Sequence, residues 1–319
     1  MKPTALLLSL FGLIHSLVAA ESDKSASLIP TSYNVVWDSP SPDAWESMPL
    51  SGRLGAGANV WVQDGSLWLY LAHNEAYDED GRLLKLGALR VTPSNEALTD
   101  PASFKQELDL ATGSIQIAST SKNGQSIQLK LWFSGENLIV QSASKNPTAV
   151  DIRFGTWRDV LREKMFIDMN KRQLTLRPDH ITMSDKGIVW FHRNAEYPTS
   201  LTGELKTQPW AVGNISNPAE NNVFGGAIVC DQALTPGKQE PVSWQKWQGS
   251  SWSMTAASAS RHTIVAALRA GQGSDPETWR KEAMALLGED ARKSASADEA
   301  KRWDEFWSRS HVVINKDAG

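Results

Sequence analysis

Cysteine is almost absent: Cys230 is the single one in 319 residues, so no disulfide can form within the chain. A chain of this length buries enough surface to stand on its packed core alone. Cys230 closes the apolar run VFGGAIVC and reads as buried packing rather than as a nucleophile. Histidine is scarce too, with six residues and no H-x-x-x-H pair, which argues against zinc. No metal and no cofactor is expected. No G-x-S-x-G, P-loop or G-x-G-x-x-G motif is present. The glycine-rich Gly52–Gly57 segment runs into a strand, so no helix N-terminus is there to cradle a phosphate. Excess positive charge is missing as well: the net charge is −4 and no basic stripe stands out, which excludes nucleic acid as the expected partner. Beyond residue 20 no apolar run is long enough to span a bilayer.

What is present starts with an export signal. Lys2 precedes an apolar run from Ala5 to about Val18, and Val18-Ala19-Ala20 fits the small-x-small cleavage rule. Residues 1–20 therefore read as a secretory signal peptide, and the mature protein as secreted or periplasmic, with no membrane contact after cleavage. Asn214-Ile215-Ser216 is a glycosylation sequon, relevant only in a eukaryotic host. Fourteen tryptophans stand against four tyrosines. Buried packing accounts for most such residues; secreted sugar-binding proteins also use the flat indole to stack on a pyranose.

From about Tyr33 to Ala270 the pattern is that of strands. ANVWVQDGSLWLYLA has Asp64-Gly65 between two alternating runs, the strongest short-range hairpin signal. Leu67, Leu69 and Leu71 fall on one face of its second arm, Trp68 and Tyr70 on the other. QELDLATGSIQIAS repeats the scheme around Thr112-Gly113, and STSKNGQSIQLKLWFS around Asn123-Gly124. NLIVQSAS, VDIRFGTW, KGIVWFHRN, VFGGAIVC, SWSMTAAS and RHTIVAALRA are further strand candidates. Many short antiparallel strands with regular turns indicate a mainly β sandwich.

After Gly271 the pattern changes. SDPETWRKEAMALLG opens with Ser274 as N-cap, Pro276 in the first turn and Glu277 completing a capping box, and Gly288 stops the helix. Ser296 and Glu299 open a second helix, SADEAKRWDEFWSRS. On it Ala300, Trp303, Phe306 and Trp307 share one face. That aromatic stripe needs a covering surface: the sandwich itself, or a domain beyond Gly319. Trp303, Phe306 and Trp307 are thus candidate interface residues.

The candidate site chemistry gathers in LYLAHNEAYDEDGRLLKLG. Glu75, Asp78, Glu79 and Asp80 lie within six residues, flanked by His73 and Arg82. Glycosidases use two carboxyl groups across a sugar, but such pairs come from separate elements, and neighbours this close rarely face each other. Asp78-Glu79-Asp80-Gly81 meets calcium-loop requirements only in part. Four readings stay open: a solvated turn, a sugar or domain contact, a calcium loop, and a small hydrolase using the Glu75/Asp78 cluster. His192 and Arg193, at the end of VWFHRN, read either as a strand end or as pocket lining. Arg158-Asp159 and Arg162-Glu163 read as a surface ion-pair patch. Trp68, Tyr77 and Trp190 are candidates for stacking on a glycan. The ligand-binding candidates are thus Trp68, His73, Glu75, Tyr77, Asp78, Arg82, His192 and Arg193.

Several of these stretches resemble a known pattern. Asn34 to Trp37, Met48-Pro49-Leu50, Gly55, Asn59 to Val62, Asp78 to Gly87, QELDL (106–110) and VWFHRN (189–194) are similar to the N-terminal domain of unknown function 5703 of bacterial glycoside hydrolase-like proteins. Ser51-Gly52-Arg53 departs from that family's Gly-Asn-Gly loop, and 71–75 departs from its usual Ser, Lys, Thr and Asp. RWDEFWSRS (302–310) is more distantly similar to the linker after the β-supersandwich of glycoside hydrolase family 95, which leads into an (α/α)₆ barrel. The resemblance implies an antiparallel β-supersandwich over 28–271 and a helical linker segment over 272–319. It implies a non-catalytic, carbohydrate-associated domain supporting a barrel that this chain does not contain; the barrel would carry the catalytic carboxylate. A free-standing carbohydrate-binding module is the alternative. Oligo- or polysaccharide is the expected partner on either reading.

Overall fold

Turn chemistry sets the registers. In the computed structural model Asp64 and Gly65 take φ of 48° and 73°, the double left-handed turn that suits a two-residue hairpin. Strand β3 (Ala56–Gln63) accordingly pairs with β4 (Ser66–Tyr77) from Gln63–Ser66 to Ala56–His73. Gly113 and Gly124 take φ of 59° and 75° at the turns from β6 (Pro101–Asp109) to β7 (Ser114–Ser121) and on to β8 (Ser126–Ser134). The three hairpins read from the sequence are present. The structure describes Ile29, Ala219 and residues 31–79, 81–167, 173–194, 221–244, 247–272, 275–285 and 296–312. The signal segment 1–20, the sequon at Asn214, Ser274 and Asp80 lie outside them.

Four of the expected strands prove to be two. NLIVQSAS and VDIRFGTW are halves of β9 (Asn137–Thr156), and SWSMTAAS and RHTIVAALRA are halves of β16 (Trp247–Gln272). The two run antiparallel along their length, with register shifts at Ala256/Ala259 and Ala259/Arg261. Bulges of this kind let a strand bend out of one sheet into another. The first half of β9 and the last half of β16 lie in a layer ordered β1 (Val35–Trp37), β6, β7, β8, β9, β16, β14 (Asn222–Cys230), β13 (Gly187–Arg193), β12 (His180–Ser184). Their other halves join β2 (Met48–Ser51), β3, β4, β5 (Leu83–Pro93) and β15 (Leu234–Trp244). Two face-to-face layers thus share two strands, and the chain is mainly β, as the sequence pattern indicates. A two-stranded ribbon, β10 (Arg162–Ile167) with β11 (Gln173–Leu176), stands apart.

The principal core lies between the layers. Leu67, Leu69 and Leu71 from one layer meet Ile117, Leu129, Leu131, Phe133 and Val140 from the other, all in one buried cluster. Burying a side chain of this size contributes roughly 1.5–3 kcal/mol. Trp190 fills the middle, 4.2 Å from the Phe154 ring centroid, and its indole N–H donates to the Leu86 carbonyl at 3.0 Å. It fits because Gly226 has no side chain: a Cβ there would run into the indole and the Ala267 carbonyl.

Two helices partly cover the layer that runs from β1 to β12. Helix α1 (Pro276–Ala285) lays Trp279 and Ala283 on Val189, Phe191, Val223 and Val265. Its cap is Asp275, whose carboxylate accepts the Glu277 and Thr278 N–H groups at 3.1 Å. The expected capping box is therefore one residue out of register, because Asp275 takes the Ncap position before Pro276. Helix α2 (Ser296–Trp307) turns back onto the sandwich: the Trp307 indole donates to the Leu110 carbonyl at 2.7 Å, and the Trp303 ring occupies the space above Gly113. Phe306 stays 41% exposed. The sandwich itself thus covers part of the aromatic stripe.

His262 holds the bend of β16. Its Nε2 donates to the Ala257 carbonyl freed by the bulge, at 2.9 Å, and its Nδ1 accepts from the buried Ser142 hydroxyl at 3.2 Å. Replacing it with Phe strands both groups away from water, each at a cost of about 1–3 kcal/mol. His262→Phe is expected to lower unfolding free energy by about 2 kcal/mol or more in urea titrations; a change below about 0.5 kcal/mol, the range of an unimportant surface site, contradicts this role for the bend.

Candidate functional site

The site begins with a break in the ladder. Strand β4 pairs with β5 regularly to Leu71–Gly87, after which the register slips between Ala72–Lys85 and Tyr77–Leu83. Carbonyls at such a slip need other partners. Buried Asn222 donates to the carbonyls of Glu75 at 2.8 Å and Tyr77 at 3.1 Å, and buried Asn194 donates to Tyr77 at 2.8 Å. These amides pin the end of β4 to the other layer. Neither asparagine was a sequence-level candidate, although Asn194 closes the VWFHRN motif. An amide at a strand end is too common a feature to single out.

With β4 held in this way, His73, Asn74 and Glu75 line a cavity of about 400 Å³ at the open edge between the layers. Glu136 enters from the two-residue β8–β9 turn, where Gly135 has φ 63°. Arg269 comes from β16, and Leu54 from the loop before β3. That loop is left-handed at Leu54 and Gly55, with φ of 55° and 94°. A side chain on Gly55 would collide with Asn74. His73 is buried; its Nδ1 accepts the Glu75 N–H at 3.2 Å. Its Nε2 therefore carries the proton and donates to Glu136 Oε1 at 3.1 Å. Arg269 lies 3.4 Å from Glu282 of α1. The Glu136 backbone is fixed too, its carbonyl accepting from the Leu268 N–H at 3.0 Å.

The acidic tip is built differently. Asp78 is buried; it accepts the Arg82 backbone N–H at 2.8 Å and the Arg82 Nε–H at 2.6 Å. Glu79 accepts from Arg177 at 2.9 Å. Asp78 and Glu79 thus close the hairpin, while Glu75 alone of the described tip carboxylates reaches the cavity. Tyr77 is half-exposed beside them and serves the network through its carbonyl. Trp68 lies elsewhere, on the outer face of the β2–β5 layer, stacked 6.0 Å from Trp61 with Arg90 5.3 Å over its ring.

His192 and Arg193 do not line the cavity. His192 is buried, stacked on Phe224 at 5.0 Å, and its Nδ1–H donates to Asp179 at 3.0 Å. Asp179 also accepts from Arg158 at 2.7 Å and from the Thr156 hydroxyl at 2.8 Å. Arg158 is fully buried and gives its other N–H groups to the carbonyls of Lys85 and Leu86, at the β4–β5 slip. The expected surface patch is thus split. Arg158 goes inside, because two orphaned carbonyls and Asp179 need a fork of donors. Arg162 stays out and pairs with Asp159 at 2.7 Å. Trp190 fills the core rather than a glycan platform, and burial pushes the Cys230 thiol up to about 12.

A family profile described as "Domain of unknown function (DUF5703)" matches residues 36–312. The chain belongs to that family. A search of curated proteins finds no match. Among solved structures, this DUF5703 chain is similar to a protein described as a kojibiose phosphorylase from the human microbiome, with 11% identity and a TM-score of 0.40 over 86% of this chain and 37% of that one. A family GH92 inverting mannosidase from Bacteroides thetaiotaomicron VPI-5482 gives 8% and 0.39 over 82% and 32%. A heparinase III gives 8% and 0.30 over 70% and 36%. The DUF5703 chain spans about a third of the length of each.

Burial alone would raise the Asp179 pKa, but the Arg158 guanidinium and the His192 N–H outweigh it and hold the carboxyl below its usual range. A depressed folded-state pKa stabilises the fold at pH values above the ordinary carboxylate range, and this stability drains away as pH falls toward the folded value. Urea midpoints are expected to drop below about pH 4. Asp179→Ala, which leaves Arg158 buried without its carboxylate, is expected to cost about 3–5 kcal/mol at pH 7 and to flatten the acid limb. An unchanged acid limb in the variant contradicts the assignment.

Proposed function

We propose that this DUF5703 chain is the non-catalytic, carbohydrate-associated N-terminal domain of a secreted glycoside hydrolase-like protein. On this reading residues 1–20 are the export signal, 28–271 the supersandwich and 272–319 the linker to an (α/α)₆ barrel outside this sequence. The observation that carries it is the use made of the acidic hairpin. A glycosidase pair must flank the scissile bond, about 5–5.5 Å apart for retention or 6.5–9.5 Å for inversion. Asp78 and Glu79 are instead bound to Arg82 and Arg177 within their own wall. Their work is structural, and the general acid and base belong to the barrel. The exposed edge of Phe306 on α2 gives a following domain an apolar surface to pack against.

One observation favours a free-standing carbohydrate-binding module. Trp45, on the short 3-10 helix Ala44–Glu46, is 90% exposed. An indole this accessible is available for stacking on a pyranose face.

The purified chain is expected to release no product from aryl glycosides and neutral oligosaccharides beyond a buffer blank, with Glu75→Gln identical to wild type. Turnover that Glu75→Gln or Asp78→Asn abolishes overturns the non-catalytic reading. Retention on insoluble polysaccharide that Trp45→Ala removes favours the module.

A further inference from the structure

We infer that the cavity at the open edge between the layers is a binding site for a neutral sugar unit, with Glu136 as its oriented acceptor. The inference rests on the carbohydrate-associated reading above and gives it an address. Four separate chain segments converge here: the left-handed Leu54-Gly55 turn, the end of β4, the β8–β9 turn and the end of β16. At about 400 Å³ the cavity falls within the roughly 300–1,000 Å³ usual for small-ligand sites.

Its wall selects for hydroxyl groups. His73 holds one oxygen of Glu136, so the carboxylate is fixed in rotation and presents its other oxygen in a set direction. Glu75 adds a second carboxylate acceptor and the Asn74 amide both donates and accepts, while the Arg269 guanidinium at the margin is held by Glu282 of α1. Carboxylates accept well from the vicinal hydroxyl pairs of a pyranose, and such charge-assisted hydrogen bonds are the stronger kind. Leu54, 75% exposed, offers an apolar patch at the rim for the C–H face of the ring. Two carboxylates facing one small space repel a third, so uronic acids and sulfated sugars are disfavoured. A divalent cation is a poorer match: among the described residues no three His, Cys, Asp or Glu side chains are grouped to hold one.

His73 here is a positioning residue. Its amide analogue in His73→Gln can still donate to Glu136, whereas His73→Ala cannot.

The test is titration calorimetry, supported by saturation-transfer NMR, on the full chain. The probes are galactose, glucose, mannose and maltose, with galacturonic acid as the charged comparator. Circular dichroism melts check that each variant folds. A neutral sugar is expected to bind, with Glu136→Gln and Glu75→Gln each weakening it about tenfold or more, the size of a lost hydrogen bond to a charged group. His73→Gln should retain affinity that His73→Ala loses. Galacturonic acid binding more tightly than galactose overturns the charge argument. Sugar binding that survives Glu136→Gln but vanishes in Trp45→Ala overturns the cavity as the site, while the carbohydrate-associated reading stands. No binding of any probe at tens of millimolar also overturns the site, and leaves the non-catalytic reading to the turnover assay. Should Glu136→Gln fail to fold, Glu75→Gln, at an exposed side chain, still decides.

Discussion

Two strands belong to both layers, and the rest of the molecule depends on that sharing. Strands β9 and β16 hydrogen-bond to each other along their length, then part company with their other neighbours where the register slips. A bent strand leaves carbonyls without ladder partners, and a buried carbonyl without a partner is costly. The structure answers with side chains: His262 for Ala257, Arg158 and Trp190 for the β5 bulge, Asn194 and Asn222 for the end of β4. Several of the polar residues buried in this sandwich therefore sit where sheet geometry fails. They are repairs to the backbone before they are anything else.

This logic separates structural chemistry from candidate chemistry. Arg158, Asp179 and His192 form a cluster of the sort often found at active sites, yet the Asp179 carboxylate, the Arg158 fork and the His192 Nδ1–H are bonded to one another and to backbone carbonyls inside the wall. The Glu136 and Glu75 carboxylates differ. They stand at the open edge between the layers, where the end of β4 meets the loop before β3, the β8–β9 turn and the end of β16. Glu136 is oriented by a buried histidine that needs nothing else from it.

The hairpins were legible because Asp-Gly, Thr-Gly and Asn-Gly have one efficient backbone use, and because leucines at alternate positions have one buried face. The merging of four segments into two strands was not legible. The polar stretches SKNPT (144–148) and ASAS (257–260) look like turns, and nothing local says that the partner strand bends in step with them. Helix α1 was found with its cap one residue early, since Ser274 and Asp275 are both good caps. The site was read in part. His73 and Glu75 stood out by composition, but Glu136 and Arg269 lie more than sixty residues away along the chain, each in an ordinary strand or turn context. Only the packing of the end of β4 against the opposite layer brings them together. Arg158 misled for the opposite reason: with Asp159 beside it the sequence offers a surface pair, while the fold offers a buried one.

The central claim is that this domain supports chemistry carried elsewhere in a longer secreted protein. Immunoblotting with antibody to the supersandwich, together with intact mass of the native secreted product, tests it most directly. The account predicts a product larger than residues 21–319 alone by the size of an (α/α)₆ barrel. A native product matching residues 21–319, with no further domain attached, contradicts it.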